Sequence, residues 1–146
     1  MADVIVVGIG TNGNGGVAAR AAASLAQKMS STLVLVFGYE SSPLGPRGGP
    51  LEARVEAIGT DVTTTMRDQL RQEFPGLAID IELVRDRPVE SLVRVAADRG
   101  AQMIVVGHGG RGPLRAALLG STAYELVHRA PVPVLVIPDQ STDEGG

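Results

Sequence analysis

The sequence predicts an α/β fold: an open five-stranded parallel sheet with helices on both faces. Three observations carry the prediction. Five short apolar runs alternate with stretches of helical periodicity along the 146 residues, the order that forces parallel strands joined by right-handed crossovers. The runs are β-branched and nearly continuous, as strands covered on both faces are. The chain is long enough to bury a core, and with two Phe, two Tyr and no Trp that core must be built from Val, Ile, Leu and Ala.

Each element follows from its residues. Val4–Val7 is the first strand, and after a glycine-rich loop the Ala-rich segment Val17–Met29 reads as a helix ended by Ser30-Ser31. Leu33–Phe37 is the second strand, and Ser41–Pro50 is a Pro/Gly loop, expected to be the most mobile segment. Leu51, Val55, Ile58, Val62, Met66, Leu70 and Phe74 recur every three or four residues and mark one face of a long helix. Gly59 and Thr63–Thr65 lower helix propensity in its middle, and Pro75-Gly76 stops it. Leu77, Ile79, Ile81 and Leu83 alternate with Asp80 and Glu82, giving a strand with one wet face near a sheet edge. Pro88–Asp98 is a helix with proline in its first turn, and Met103–Val106 is the fourth strand. A helix from about Gly120 to Arg129 leads to the last strand, Val134–Ile137, set among prolines. Residues 1–138 are expected to form a single domain and residues 139–146 a flexible tail.

Composition narrows the function classes. A formal net charge of −3 with scattered basic residues argues against nucleic acid, because sequence-independent phosphate-backbone binding needs clustered Lys and Arg. The absence of cysteine excludes disulfides, thiolate nucleophiles and thiolate metal sites. The apolar start has Asp3 rather than basic residues before it, and no run approaches the roughly 20 residues of a membrane span. A cytoplasmic protein without membrane association is the expectation.

The segment Gly107–Thr122, GHGGRGPLRAALLGST, carries the chemistry. A buried strand that breaks into glycines and ends in Gly-Ser-Thr at a helix start builds an anion site. Glycine lets backbone N–H groups converge on the anion, and the helix N-terminus adds donors and a favourable dipole. Arg111 or Arg115 can supply positive charge, and the His108 imidazole either reaches a phosphate or ribose or lies in solvent. His128, near a helix C-terminus, is suited to the terminal carbonyls. The first loop, Gly8-Ile9-Gly10-Thr11-Asn12-Gly13, formally satisfies the dinucleotide fingerprint, with Glu40 as a ribose acid. Asn14-Gly15-Gly16 nevertheless prolong the loop where the fingerprint requires helix, and no room remains for a substrate domain. A P-loop is excluded, since the only lysine, Lys28, lies in a helix. Ser121 is not in a nucleophile elbow, and no His/Asp/Glu cluster has metal-ligand spacing.

Together these residues resemble the universal stress protein family over nearly the whole chain. Its nucleotide motif, G-x2-G-x9-G-[ST] after the fourth strand, is filled by Gly107, Gly110, Gly120 and Ser121. The continuation GSTAYELVHRAPVPVLVIP and the earlier Arg87–Leu92 are also similar to the family. The resemblance implies a Rossmann-like fold of the adenine-nucleotide α-hydrolase type, with strand order 3-2-1-4-5. It further implies an adenine-nucleotide site for ATP, with ADP or AMP as alternatives and Mg2+ accompanying ATP. Carried over by position, Gly107 meets the ribose side, while Gly110, Gly120, Ser121 and Thr122 hold the phosphates. Val106, Phe37 and Gly38 border the adenine, and Gly8, Ile9, Gly10 and Thr11 form the nucleoside side. Gly10 stands where the family reads aspartate, and Thr11 or Asn12 offers replacement donors and acceptors. Phe37 either stacks on a base or packs. The resemblance also implies a homodimer through the final strand Val134–Ile137, without membrane or nucleic-acid partners and with protein partners unknown. A nucleotide-independent dimeric interaction module and a slow ATPase are the alternative readings. Neither glycine loop contains an Asp or Glu to serve as a general base.

Overall fold

Five parallel strands lie in the order β3-β2-β1-β4-β5, the arrangement expected from the sequence. The computed structural model describes residues 3–10, 16–40, 49–109 and 119–138. The strands are β1 (Val4–Gly8), β2 (Thr32–Gly38), β3 (Ile79–Val84), β4 (Met103–Gly107) and β5 (Val134–Ile137). The helices are α1 (Gly16–Lys28), α2 (Pro50–Glu73), α3 (Pro88–Arg99) and α4 (Ser121–Arg129). The Pro/Gly loop 41–48 and the tail 139–146 lie outside the described residues.

Side chains on successive strand positions point to opposite faces, and the two faces build two cores. Ile5, Val7, Leu33, Leu35 and Val105 pack against the alanines of α1 and against Leu70 of α2. Val6, Val34, Val36, Ile104 and Val106 pack against Val89, Leu92 and Val95 of α3 and Ala123 and Leu126 of α4. The small alanines Ala19, Ala22, Ala23 and Ala26 are wholly buried, so α1 lies close upon the centre of the sheet. β3 is an edge strand, as its alternation predicts. Arg99 covers its wet face through Asp80 and Glu82, each at 2.8 Å, and the hydrogen bond to Asp80 holds the guanidinium above its ordinary pKa despite partial burial.

The long helix departs from its apolar pattern. α2 buries Glu52, Gly59, Thr63 and Leu70, while Leu51 and Ile58 remain 42% and 43% exposed. Two contacts turn the helix. The Phe37 ring occupies the space a Gly59 side chain would need, with ring carbon Cε2 2.5 Å from an ideal Cβ position. Arg85 Nε sits 2.6 Å from a carboxylate oxygen of the buried Glu52. Gly59, a propensity defect in isolation, is thus what lets α2 approach β2. Tyr39, stacked beside Phe37 with ring centroids 6.3 Å apart, donates its hydroxyl to Glu56 at 2.9 Å. Burial, reinforced by Glu56, raises the Tyr39 phenol pKa.

Gly59→Ala gains helix propensity, about 1 kcal/mol, yet is expected to destabilise the fold by about 1–3 kcal/mol because the buried Phe37 ring must shift. Urea unfolding of a double-mutant cycle with Phe37→Leu is expected to show positive coupling, the smaller side chain recovering most of the Gly59→Ala loss.

Candidate functional site

β1 and β4 are hydrogen-bonded neighbours, with Ile5, Val6 and Val7 opposite Met103, Ile104 and Val105. Their continuations leave in opposite directions. After β1 the chain enters α1 on one face, and after β4 it enters α4 on the other. Such a reversal opens a crevice beyond the strand C-termini, here above Gly8 and Gly107.

On the β4 side, the glycine segment is closed at its base. The His108 N–H donates to Ile137 O at 2.9 Å, prolonging the β4–β5 pairing, and the Gly120 N–H donates to His108 O at 2.9 Å. Gly109 has φ +76°, a conformation that L side chains adopt rarely. A Cβ on Gly120 would lie 2.7 Å from Gly109 O and 3.0 Å from Gly109 Cα. Both glycines are therefore required for the two ends of the segment to touch. Gly110 and Arg111 lie outside the described residues.

That contact sets the start of α4. Gly120 is the N-cap in extended conformation and makes no side-chain cap. Helix geometry leaves the N–H groups of Ser121 and Thr122 without intrahelical acceptors, and Ser121 is exposed and Thr122 half-buried. Donors, dipole and hydroxyls converge at one end of the crevice, the arrangement that receives a phosphate or carboxylate. Among the described residues, a side chain begun at Gly107 would meet only Ala18 Cβ, at 4.0 Å.

The β1 and β2 ends contribute mostly backbone. The Ile9 N–H donates to Val36 O at 2.9 Å, and its side chain is buried in the α1–α2 core. Gly8 lies over Leu92, Gly10 is exposed at the rim, and Thr11 lies outside the described residues. Gly38 is pressed against Ser91 Oγ and the Asp86 carbonyl, so no side chain fits there. Phe37 packs beneath α2 and Val106 against α3 and α4, both buried. His108 is half-buried.

A charge cluster ties α4 to α3. Glu90 accepts from Arg87 at 2.7 Å and from Arg129 at 2.8 Å. Glu125 lies 3.9 Å from each of the two guanidinium groups. The hydrogen bond from Arg87, then that from Arg129, lowers the Glu90 carboxyl to about 2 from its ordinary 4.5. Neither this cluster nor Gly109 stood out in the sequence. The glycine pair directly after His108, of which Gly109 is the first, was the available signal for it, whereas Glu90 and Arg129 are 39 residues apart.

Comparison with known proteins places this architecture. A model of the universal stress protein family matches residues 1–138. A universal stress protein from Thermus aquaticus is 30% identical over 129 residues, covering 82% of this chain and 87% of its own length. One from Mycobacterium tuberculosis reaches 41% identity over 66 residues, 45% of this chain. That match is 22% of the relative's length, so the chain corresponds to only part of that protein. Among solved structures, a universal stress protein in complex with cAMP has a TM-score of 0.71 at 22% identity, covering 94% of this chain and 98% of its own. One from Archaeoglobus fulgidus in complex with dAMP has a TM-score of 0.67 at 19% identity, covering 94% and 98%. At these identities the two structures establish the fold.

Two outcomes follow from the geometry. Gly120→Ala is expected to open the base of the segment, because backbone cannot yield as a side-chain tip can. Amide exchange at position 120 and at His108 should accelerate at least about tenfold, equivalent to about 1.4 kcal/mol of lost local protection. Because the folded Glu90 pKa is depressed, its stabilising contribution is complete above pH about 4.5 and is lost as pH falls toward about 2. Thermal melts of Glu90→Gln across that window should show a shallower acid decline than the parent.

Proposed function

Because this chain belongs to the universal stress protein family, we propose that it is a nucleotide-binding regulatory protein of the stress response, with ATP as its ligand and ADP or AMP as weaker occupants. One observation carries the reading. The Gly109–Gly120 contact holds the start of α4 against the end of β4, next to the point where strand order reverses, which supports an anion site at the first N–H groups of α4. The universal stress proteins solved with cAMP and dAMP share this fold and support an adenine nucleotide as the class of ligand.

In this reading Gly110, Gly120, Ser121 and Thr122 receive the phosphates, Gly107 leaves room for the ribose, the His108 imidazole reaches a phosphate or the ribose, and Arg111 supplies positive charge at the rim. Gly8, Ile9, Gly10 and Thr11 border the nucleoside through backbone and the Thr11 hydroxyl, and the ends of β2 and β4 flank the base. The cradle fits a phosphate, since the close approach at Gly120 and, among the described residues, the space at Gly107 both depend on missing Cβ atoms. Mg2+ would arrive on the phosphates of ATP; among the described residues no group of three or more metal-binding side chains is assembled. Bound nucleotide orders the Gly107–Thr122 segment to the extent that it binds the ordered state better than the open one.

We further assign a homodimer through the outer edge of β5. Leu135 is 37% exposed there, and Val127 and Tyr124 of α4 are exposed nearby; an unpaired apolar edge is a pairing surface. The working compartment is the cytoplasm. Among the described residues no helix is long and apolar enough to cross a membrane.

Calorimetry with ATP, ADP, AMP and adenosine tests the site. ATP should bind at least about a hundredfold more tightly than adenosine, a difference of about 2.8 kcal/mol, and Gly120→Val should abolish the heat while circular dichroism stays native. Equal affinity for ATP and adenosine, or unchanged binding by Gly120→Val, contradicts the assignment.

A further inference from the structure

The exposed side of α2 has an apolar pattern that the core uses only at one end and the crevice not at all. Leu51, Val55, Ile58 and Val62 are spaced by four, three and four residues, the spacing of a seam that packs on another helix; Val62, half-buried at the end of the series, also touches the core. The sheet takes only Val62, at the C-terminal end of this seam, because the Phe37–Gly59 and Arg85–Glu52 contacts turn the N-terminal part of α2 away from it. Leu51 and Ile58 stay 42% and 43% exposed, and Val55 is half-buried. Arg54 and Asp61 flank the seam and are exposed. Neither is ion-paired with another described residue, whereas Arg20, Arg85, Arg87, Arg94, Arg99 and Arg129 all are. Between them on the open side lies the small Ala57.

We propose that this seam is a self-association surface on which α2 of a second copy packs antiparallel about a two-fold axis. The charges select that occupant and that direction. Antiparallel packing sets Val55 opposite the second copy's Ile58 and Leu51 opposite its Val62. The same register brings Arg54 beside the second copy's Asp61, and the two-fold repeats the pair. Parallel packing would set each flanking position against the partner's residue five further on, Gly59 for Arg54 and Met66 for Asp61, leaving both charges unmatched. The surface is separate from the β5 edge, because α2 covers the β2–β3 side of the sheet, at the opposite end of the strand order. A chain with both contacts assembles beyond a dimer.

Sedimentation velocity on the full chain tests this. Ile58→Arg should halve the mass of the associated species, as should Arg54→Asp and Asp61→Arg singly, while the combined Arg54→Asp/Asp61→Arg exchange restores it. In a Leu135→Arg background, where β5 pairing is removed, the remaining dimer should persist and then vanish on adding Ile58→Arg. Native circular dichroism throughout excludes misfolding, since all three α2 positions are exposed. An unchanged mass for Ile58→Arg overturns the proposal, as does failure of the charge exchange to restore association. A lowered melting temperature without a change in mass also overturns it, by showing that the chain itself covers the seam.

Discussion

The contact between Gly109 and Gly120 is the constraint on which the site depends. It joins the end of β4 to the start of α4; it leaves no room for a side chain on Gly120, and Gly109 combines a tight approach with a positive φ. The hydrogen bond from Gly120 to His108, and that from His108 to Ile137, tie this closure to β5. The position of the α4 N-terminus is therefore set by the sheet itself. A helix N-terminus attracts anions only within about its first turn, so a small displacement of α4 would remove most of the attraction. The Arg87–Glu90–Arg129 cluster acts on the same helix from its other end.

α2 shows how tertiary contacts override a local pattern. Taken alone, its apolar residues describe a helix that should lay Leu51 and Ile58 on the sheet. The aromatic side chain at Phe37 needs space that only a glycine can provide, and the buried Glu52 needs the guanidinium of Arg85. Satisfying both turns the N-terminal half of the helix, while Leu70 and Thr63 are buried farther along it. Two apolar side chains are left exposed in return. A helix held in this way has its core contacts and its surface seam decided together.

The sheet was legible because parallel strands buried on both faces have a sequence character of their own. Val4–Val7, Leu33–Phe37, Met103–Val106 and Val134–Ile137 each match a strand to within a residue or two, and the alternation about Asp80 and Glu82 correctly put β3 at an edge. The spacing from Gly107 to Ser121 located the segment that the fold closes at the crevice. What sequence could not supply were contacts between residues far apart along the chain. Gly59 reads as a weak point until Phe37, 22 positions earlier, is placed against it. The positive φ of Gly109 and its closeness to Gly120 are likewise products of the folded chain. Ile9, Phe37 and Val106, expected to border the nucleoside and the base, have side chains that serve the core.

Titration of isotope-labelled protein with ATP, followed by amide chemical shifts, tests the central claim most directly. If the closed segment is the anion-binding element, the largest shifts fall at Gly107–Gly109 and Gly120–Thr122, with smaller ones at Gly8–Gly10. Shifts confined to the outer face of α2 or the β5 edge, or no shifts at saturating ATP, would contradict it.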